Sequence, residues 1–141
     1  MNKGQNSIVI LEDNPARAEI LRGVVASLPG NFVLRHFDSV GALQATDLRG
    51  VRLISLDFSL DNSSAHKPGT GMDAVKFLIK HRNPVCPVIV HTSSADDSHQ
   101  MAETLAGRGW AVKRVNFGER ERAEKWRVAA LELMGLAGTK A

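Results

Sequence analysis

Four short apolar runs in this chain end on side chains able to do chemistry. The run SIVIL is followed by Glu12 and Asp13, VRLISL by Asp57, PVIV by His91 and Thr92, and WAVKRV by Asn116. Three carboxylates brought together would repel and raise one another's pKa. A divalent cation removes that conflict, and hard oxygen donors with room for waters suit magnesium. Glu12, Asp13 and Asp57 are therefore read as ligands of Mg2+, and Asp57 also as a nucleophile. The Thr92 hydroxyl reads as a donor to a phosphoryl oxygen beside the metal, completing a minimal phosphoryl-transfer apparatus. His91 is either a general acid or base near neutral pH or a satisfied core histidine.

These side chains meet only if the runs that carry them are neighbouring strands. Residues 7–11 and 51–56 are too short for helices and rich in β-branched residues, so they read as buried strands. Residues 32–37, 87–92 and 110–115 read likewise. Amphipathic stretches lie between them. Asn14 and Pro15 pair a capping side chain with a proline at the first helical position, and Ile20, Leu21, Val24, Val25 and Leu28 then repeat at helical spacing. A weaker helix is read over 38–48. Thr70 to Asp73 has the shape of a capping box ahead of Val75, Leu78 and Ile79. A fourth helix starts at Ser94 or Asp96 and runs through Met101 and Leu105; a fifth carries Trp126, Ala129, Ala130 and Leu133. Five strands alternating with five helices predict a parallel sheet covered on both faces, with ligands at the carboxyl ends of its strands.

Composition bounds the function. The 141 residues, 43% apolar, 23% charged and +3 in formal charge, fit one globular domain with flexible ends at 1–6 and 135–141. The positive excess lies in the C-terminal half and falls far short of a nucleic-acid-binding signature. The single cysteine, Cys86, allows no internal disulfide and is read as packing. No apolar run reaches membrane-span length, so a cytoplasmic protein with no membrane partner is expected. Neither a Walker phosphate loop nor a dinucleotide glycine fingerprint follows the first strand. A haloacid-dehalogenase-type phosphatase would want Asp where Ser59 stands.

The segments IVILEDNPAR, LISLDFSL, GTGMDAVKFL and PVIVHTS, in that order, resemble the receiver domain of two-component response regulators. The resemblance implies a flavodoxin-like, five-stranded parallel sheet in the order 2-1-3-4-5 with helices on both faces. It makes Glu12 and Asp13 the acidic pair that holds magnesium, Asp57 the phosphoacceptor and Thr92 the switch hydroxyl. The implied partners are a histidine kinase or phosphotransfer protein and a downstream protein. With no dedicated DNA-binding module appended, a stand-alone receiver with output through protein contacts is expected. Receivers usually end the fifth strand on a Lys-Pro pair, where this chain has Asn116 and Phe117. Lys113 alternates to the other face, whereas Arg114 shares the face of Asn116, two residues back at about 3.3 Å per residue. Arg114 and Asn116 are read, with Thr92, as phosphate ligands.

A narrower resemblance is to a receiver-like group proposed to process cyclic phosphates. Leu56 and Asp57 with Leu60, Gly69-Thr70-Gly71 with Asp73, His91 with Thr92, and Arg114 and Val115 with Phe117 carry it. It implies an enzyme acting on a phosphate-bearing small molecule or RNA end, with His91 as acid or base and Arg114 in place of the missing lysine. A third reading is a pseudo-receiver, an interaction module neither phosphorylated nor catalytic. Elsewhere, Asp61 reads as a turn residue or a further pocket carboxylate, His66 and Lys67 as a polar loop or a lid, and His99 as solvent-facing. Trp110 and Trp126 read as core or a docking surface.

Overall fold

Parallel pairing buries both faces of a strand, which is why β1 (Ser7–Leu11), β3 (Val51–Leu56) and β4 (Val88–Thr92) are buried at nearly every position. The edge strands β2 (Val33–Phe37) and β5 (Val112–Asn116) are more exposed. Between the strands come α1 (Pro15–Ser27), α2 (Val40–Gln44), α3 (Gly71–His81) and α4 (Ala95–Ala106), and α5 (Arg122–Leu133) follows β5. All strands run parallel in the order β2-β1-β3-β4-β5, the expected flavodoxin-like sheet. This computed structural model describes residues 6–58, 70–81, 86–92, 95–117 and 121–136. The readings for Ser59, Leu60, Asp61, His66, Lys67, Gly69 and Ser94 lie outside the described residues.

Strand alternation splits the core into two layers. Val9, Leu11, Ile54, Leu56, Val88 and Val90 pack with residues of α2, α3 and α4. Ile8, Ile10, Leu53, Ile89 and Val115 pack with residues of α1 and α5. Two elements differ from the sequence reading. The α2 helix is shorter, because the Thr46 hydroxyl bonds back to the Ala42 carbonyl, Asp47 accepts from the Arg49 amide, and Gly50 at φ 77° turns the chain into β3. The fifth strand begins at Val112, since Trp110 is already packed in the core ahead of it.

The sheet's carboxyl edge positions the site. The Glu12 amide donates to the Phe37 carbonyl at 2.9 Å and the Asp57 amide to the Leu11 carbonyl at 3.1 Å, so Glu12 and Asp57 leave the sheet side by side. The start of α3 closes on the same edge. The Thr70 amide donates to Asp73 Oδ2 at 2.9 Å, as the capping-box pattern expects, and the Gly71 amide to the Phe58 carbonyl at 2.8 Å. A Cβ on Gly71 would lie 2.1 Å from the Asp57 carbonyl oxygen, so the close approach of α3 requires glycine. Among the described residues, no helix is long and apolar enough to cross a membrane.

Candidate functional site

One carboxylate oxygen from each of Glu12, Asp13 and Asp57 lies within 4.8 Å of the others. Glu12 and Asp57 are buried and Asp13 is half-buried. Neither Asp57 oxygen has a hydrogen-bond partner among the described residues. Burial first, then the charge of Glu12, pushes the Asp57 pKa up to about 7. Orphaned oxygens facing two further carboxylates are what a divalent, oxygen-liganded cation satisfies, so the donor set fits magnesium. The first turn of α1 frames it. Asn14 caps the helix through the Arg17 amide at 3.0 Å, and its own amide donates to Glu12 Oε2 at 3.0 Å.

Behind Glu12, a line of hydrogen bonds crosses the core to α5. Trp126 Nε1–H donates to Ser55 Oγ at 2.9 Å, the Ser55 hydroxyl donates to His91 Nδ1 at 2.5 Å, and His91 Nε2–H donates to Glu12 Oε1 at 3.0 Å. These directions are assigned from the end groups: an indole only donates and an ionised carboxylate only accepts. They leave His91 neutral, in agreement with burial, which lowers its pKa despite the nearby Glu12 carboxylate. Burial alone would raise the pKa of Glu12. The His91 hydrogen bond, with the Asn14 amide and the charge of Arg17, brings it below the ordinary value, so Glu12 is ionised. The His91 ring is wholly buried, packs against Phe117 at 5.2 Å, and has both nitrogens engaged. It is placed to orient Glu12, as the core-histidine reading expects.

The structure does not turn Arg114, an expected phosphate ligand, toward the carboxylates. Arg114 turns to α4, where its Nε donates to Ser98 Oγ at 3.0 Å and its Nη2 to the Ala95 carbonyl at 3.2 Å. Lys113, on the opposite face as alternation requires, pairs with Glu132 at 3.3 Å. Thr92, buried at the end of β4, pairs in register with the exposed Asn116. Both line a cleft of about 760 Å³ between α4, β5 and α5, and none of the three carboxylates is among its walls. His99 is exposed on α4 beside Glu103. Burial pushes the Cys86 thiol up to about 12, so it is unreactive packing.

Sequence reasoning passed over Arg17 and Ser55. Arg17 Nε lies 3.5 Å from Glu12 Oε2 and its Nη2 lies 3.7 Å from Asp57 Oδ2. A signal for it was visible: Arg17 stands at the third helical position after Asn14, where the helix dipole favours an acid and a capping box would place Glu. Ser55 is a polar residue in an otherwise apolar run, and so is His91. Their partnership needs the register of β3 against β4, which a single sequence does not print.

This fold is that of a response-regulator receiver. The chain resembles the receiver domain of a response regulator from Rhodospirillum rubrum at 19% identity and TM-score 0.61, covering 96% of this chain and 95% of that one. It resembles the Mn(2+)-bound form of response regulator Rcp1 at 17% identity and TM-score 0.66, covering 96% and 97%. It also resembles the phosphorylated cyanobacterial phytochrome response regulator RcpA at 12% identity and TM-score 0.66, covering 97% and 96%. At such identities the likeness shows the fold. The family described as the cyclic-phosphate processing receiver domain matches residues 8–107, and the chain belongs to that family. No curated protein matches it.

Proposed function

We propose that this receiver domain accepts a phosphoryl group on Asp57 in phosphorelay signalling, with magnesium held by Glu12, Asp13 and Asp57. The observation that carries the reading is Asp57 itself, a buried carboxylate at the sheet edge whose two oxygens have no hydrogen-bond partner among the described residues. Bound magnesium would neutralise the carboxylates and the incoming phosphoryl oxygens. With that charge present, the upward push of burial and Glu12 on Asp57 is offset and the carboxylate is ionised at neutral pH. One Asp57 oxygen attacks the phosphorus of the donor, and the donor's phosphorus–nitrogen or phosphorus–oxygen bond breaks. The bonding electrons leave with the donor, and the product is an acyl phosphate. Glu12, fixed by His91 and the Asn14 amide, keeps its place while charge moves beside it. The donor is a histidine kinase or phosphotransfer protein, and Thr92 reports the modification to a downstream protein. The Mn(2+)-bound and phosphorylated relatives support the reading.

The test is incubation with magnesium and a small-molecule phosphodonor such as acetyl phosphate, read by intact mass. The expected outcome is a phosphoryl adduct on Asp57 that needs magnesium and is absent from Asp57→Asn. No adduct, at donor levels that modify an ordinary receiver, would sink the reading. The description of the family favours a second reading, an enzyme acting on a cyclic phosphate in the same pocket. Turnover of a 2′,3′-cyclic nucleotide, lost in Asp57→Asn, would favour that one.

A further inference from the structure

A phosphoryl group on Asp57 adds oxygens and negative charge to a corner that already holds three carboxylates. A cation of the chain beside the metal would share that charge. The β5 cations are committed elsewhere, Lys113 to Glu132 and Arg114 to Ser98 and the Ala95 carbonyl. Among the described residues Arg17 is the cation that faces the corner, with its backbone fixed by the Asn14 cap and its side chain about four-fifths buried at 22% exposure. Its approaches of 3.5 Å to Glu12 and 3.7 Å to Asp57 are ion pairs without hydrogen-bond geometry. Among the described residues its Nε is buried with no hydrogen-bond partner, as are both oxygens of Asp57. A guanidinium with its Nε–H unsatisfied therefore looks across at an unsatisfied carboxylate, 3.7 Å away and beyond hydrogen-bond reach. Guanidinium geometry matches phosphate oxygens two at a time.

We propose that Arg17 is the phosphoryl ligand of this site: it pairs with the oxygens of a tetrahedral phosphoryl group on Asp57 and, before that group arrives, competes with the divalent cation for Glu12 and Asp57. This rests on the reading of Asp57 as phosphoacceptor. Arg17 donates hydrogen bonds and neutralises charge; it gives up no proton, since guanidinium stays protonated. The competition follows from sign alone, because a guanidinium between two carboxylates lowers the negative potential that draws a metal ion.

The two roles give opposite signatures, which a merely structural residue would not. The experiment measures two affinities by calorimetry, Mg2+ alone and beryllofluoride at saturating Mg2+, for the wild type, Arg17→Gln and Arg17→Lys. Arg17→Gln is expected to bind Mg2+ about tenfold more tightly and beryllofluoride about a hundredfold more weakly. Arg17→Lys, which keeps the charge but loses the fork, is expected to fall between for beryllofluoride and to match the wild type for Mg2+. Beryllofluoride affinity unchanged in Arg17→Gln, or both affinities falling together, would overturn the assignment while leaving Asp57 as phosphoacceptor. A wild type that binds no beryllofluoride would overturn both.

Discussion

The two ends of the sheet's carboxyl edge are built in opposite ways. At β1 and β3, the carboxylates sit in a buried corner where Glu12 is held on one oxygen by His91 and on the other by the Asn14 amide and Arg17. The hold extends through Ser55 to Trp126, a residue of α5 on the far side of a core layer. At β5, Asn116 is exposed, and Arg114 and Lys113 reach outward to helices through contacts open to water. A metal site needs charges that stay put, and a low-dielectric interior makes misplacing them costly. A face that meets partners gains from side chains free to rearrange. The same strand-end geometry therefore holds buried charge at one end and exposed, water-accessible contacts at the other.

The contrast can be broken most strongly at His91. His91→Ala leaves Oε1 of the buried, ionised Glu12 without its partner and opens a cavity, which is expected to cost about 3–5 kcal/mol and to weaken Mg2+ binding about 10–100-fold. Urea unfolding and calorimetry check these, and an unchanged metal affinity would remove the positioning role. The next effect is at Asp57 and depends on pH. Its folded pKa of about 7 lies above the ordinary 3.8, so it contributes stability fully present below pH 4 and lost as pH rises through 7. In chelator, the wild type should therefore lose stability between about pH 4 and 7, whereas Asp57→Asn lacks this dependence. At pH 8 the variant should be more stable by up to about 4 kcal/mol, at 1.36 kcal/mol per pKa unit. Parallel pH profiles of melting temperature for the two proteins would contradict this.

Smaller effects sharpen the comparison. Ser55→Ala leaves the Trp126 N–H and His91 Nδ1 without a partner and should cost about 1–3 kcal/mol. Removing cations at the open end, Lys113→Ala or Arg114→Ala, should cost under about 1 kcal/mol because those contacts are exposed. A β5 variant as damaging as Ser55→Ala would mean that the open end is also built as a fixed network.

What the sequence revealed and what it hid divide along the same line. Strand ends are marked locally, by an apolar run meeting a polar residue, so Glu12, Asp13, Asp57 and Thr92 could be read off and the sheet assembled around them. Asn14 and Pro15, and Thr70 with Asp73, announced helix starts by side-chain chemistry alone. Alternation put Lys113 and Arg114 on opposite faces but could not say that α4 would occupy the guanidinium. His91 joins Ser55, which lies 36 positions earlier, and Glu12, which lies 79 positions earlier, and no local pattern encodes such pairings. The indole of Trp126 belongs to the core, yet its N–H has a partner that only the packed structure names.

The fixed end is tested most directly by the indole N–H resonances of Trp126 and Trp110 followed by NMR during a Mg2+ titration. A cation at Glu12 changes the charge at one end of the chain of hydrogen bonds, and the Trp126 proton is at the other. The expected result is a saturable shift of the Trp126 resonance, lost in His91→Ala, with Trp110 little changed. Saturable Mg2+ binding that leaves the Trp126 resonance where it was would contradict the wiring of the carboxylate site into the core.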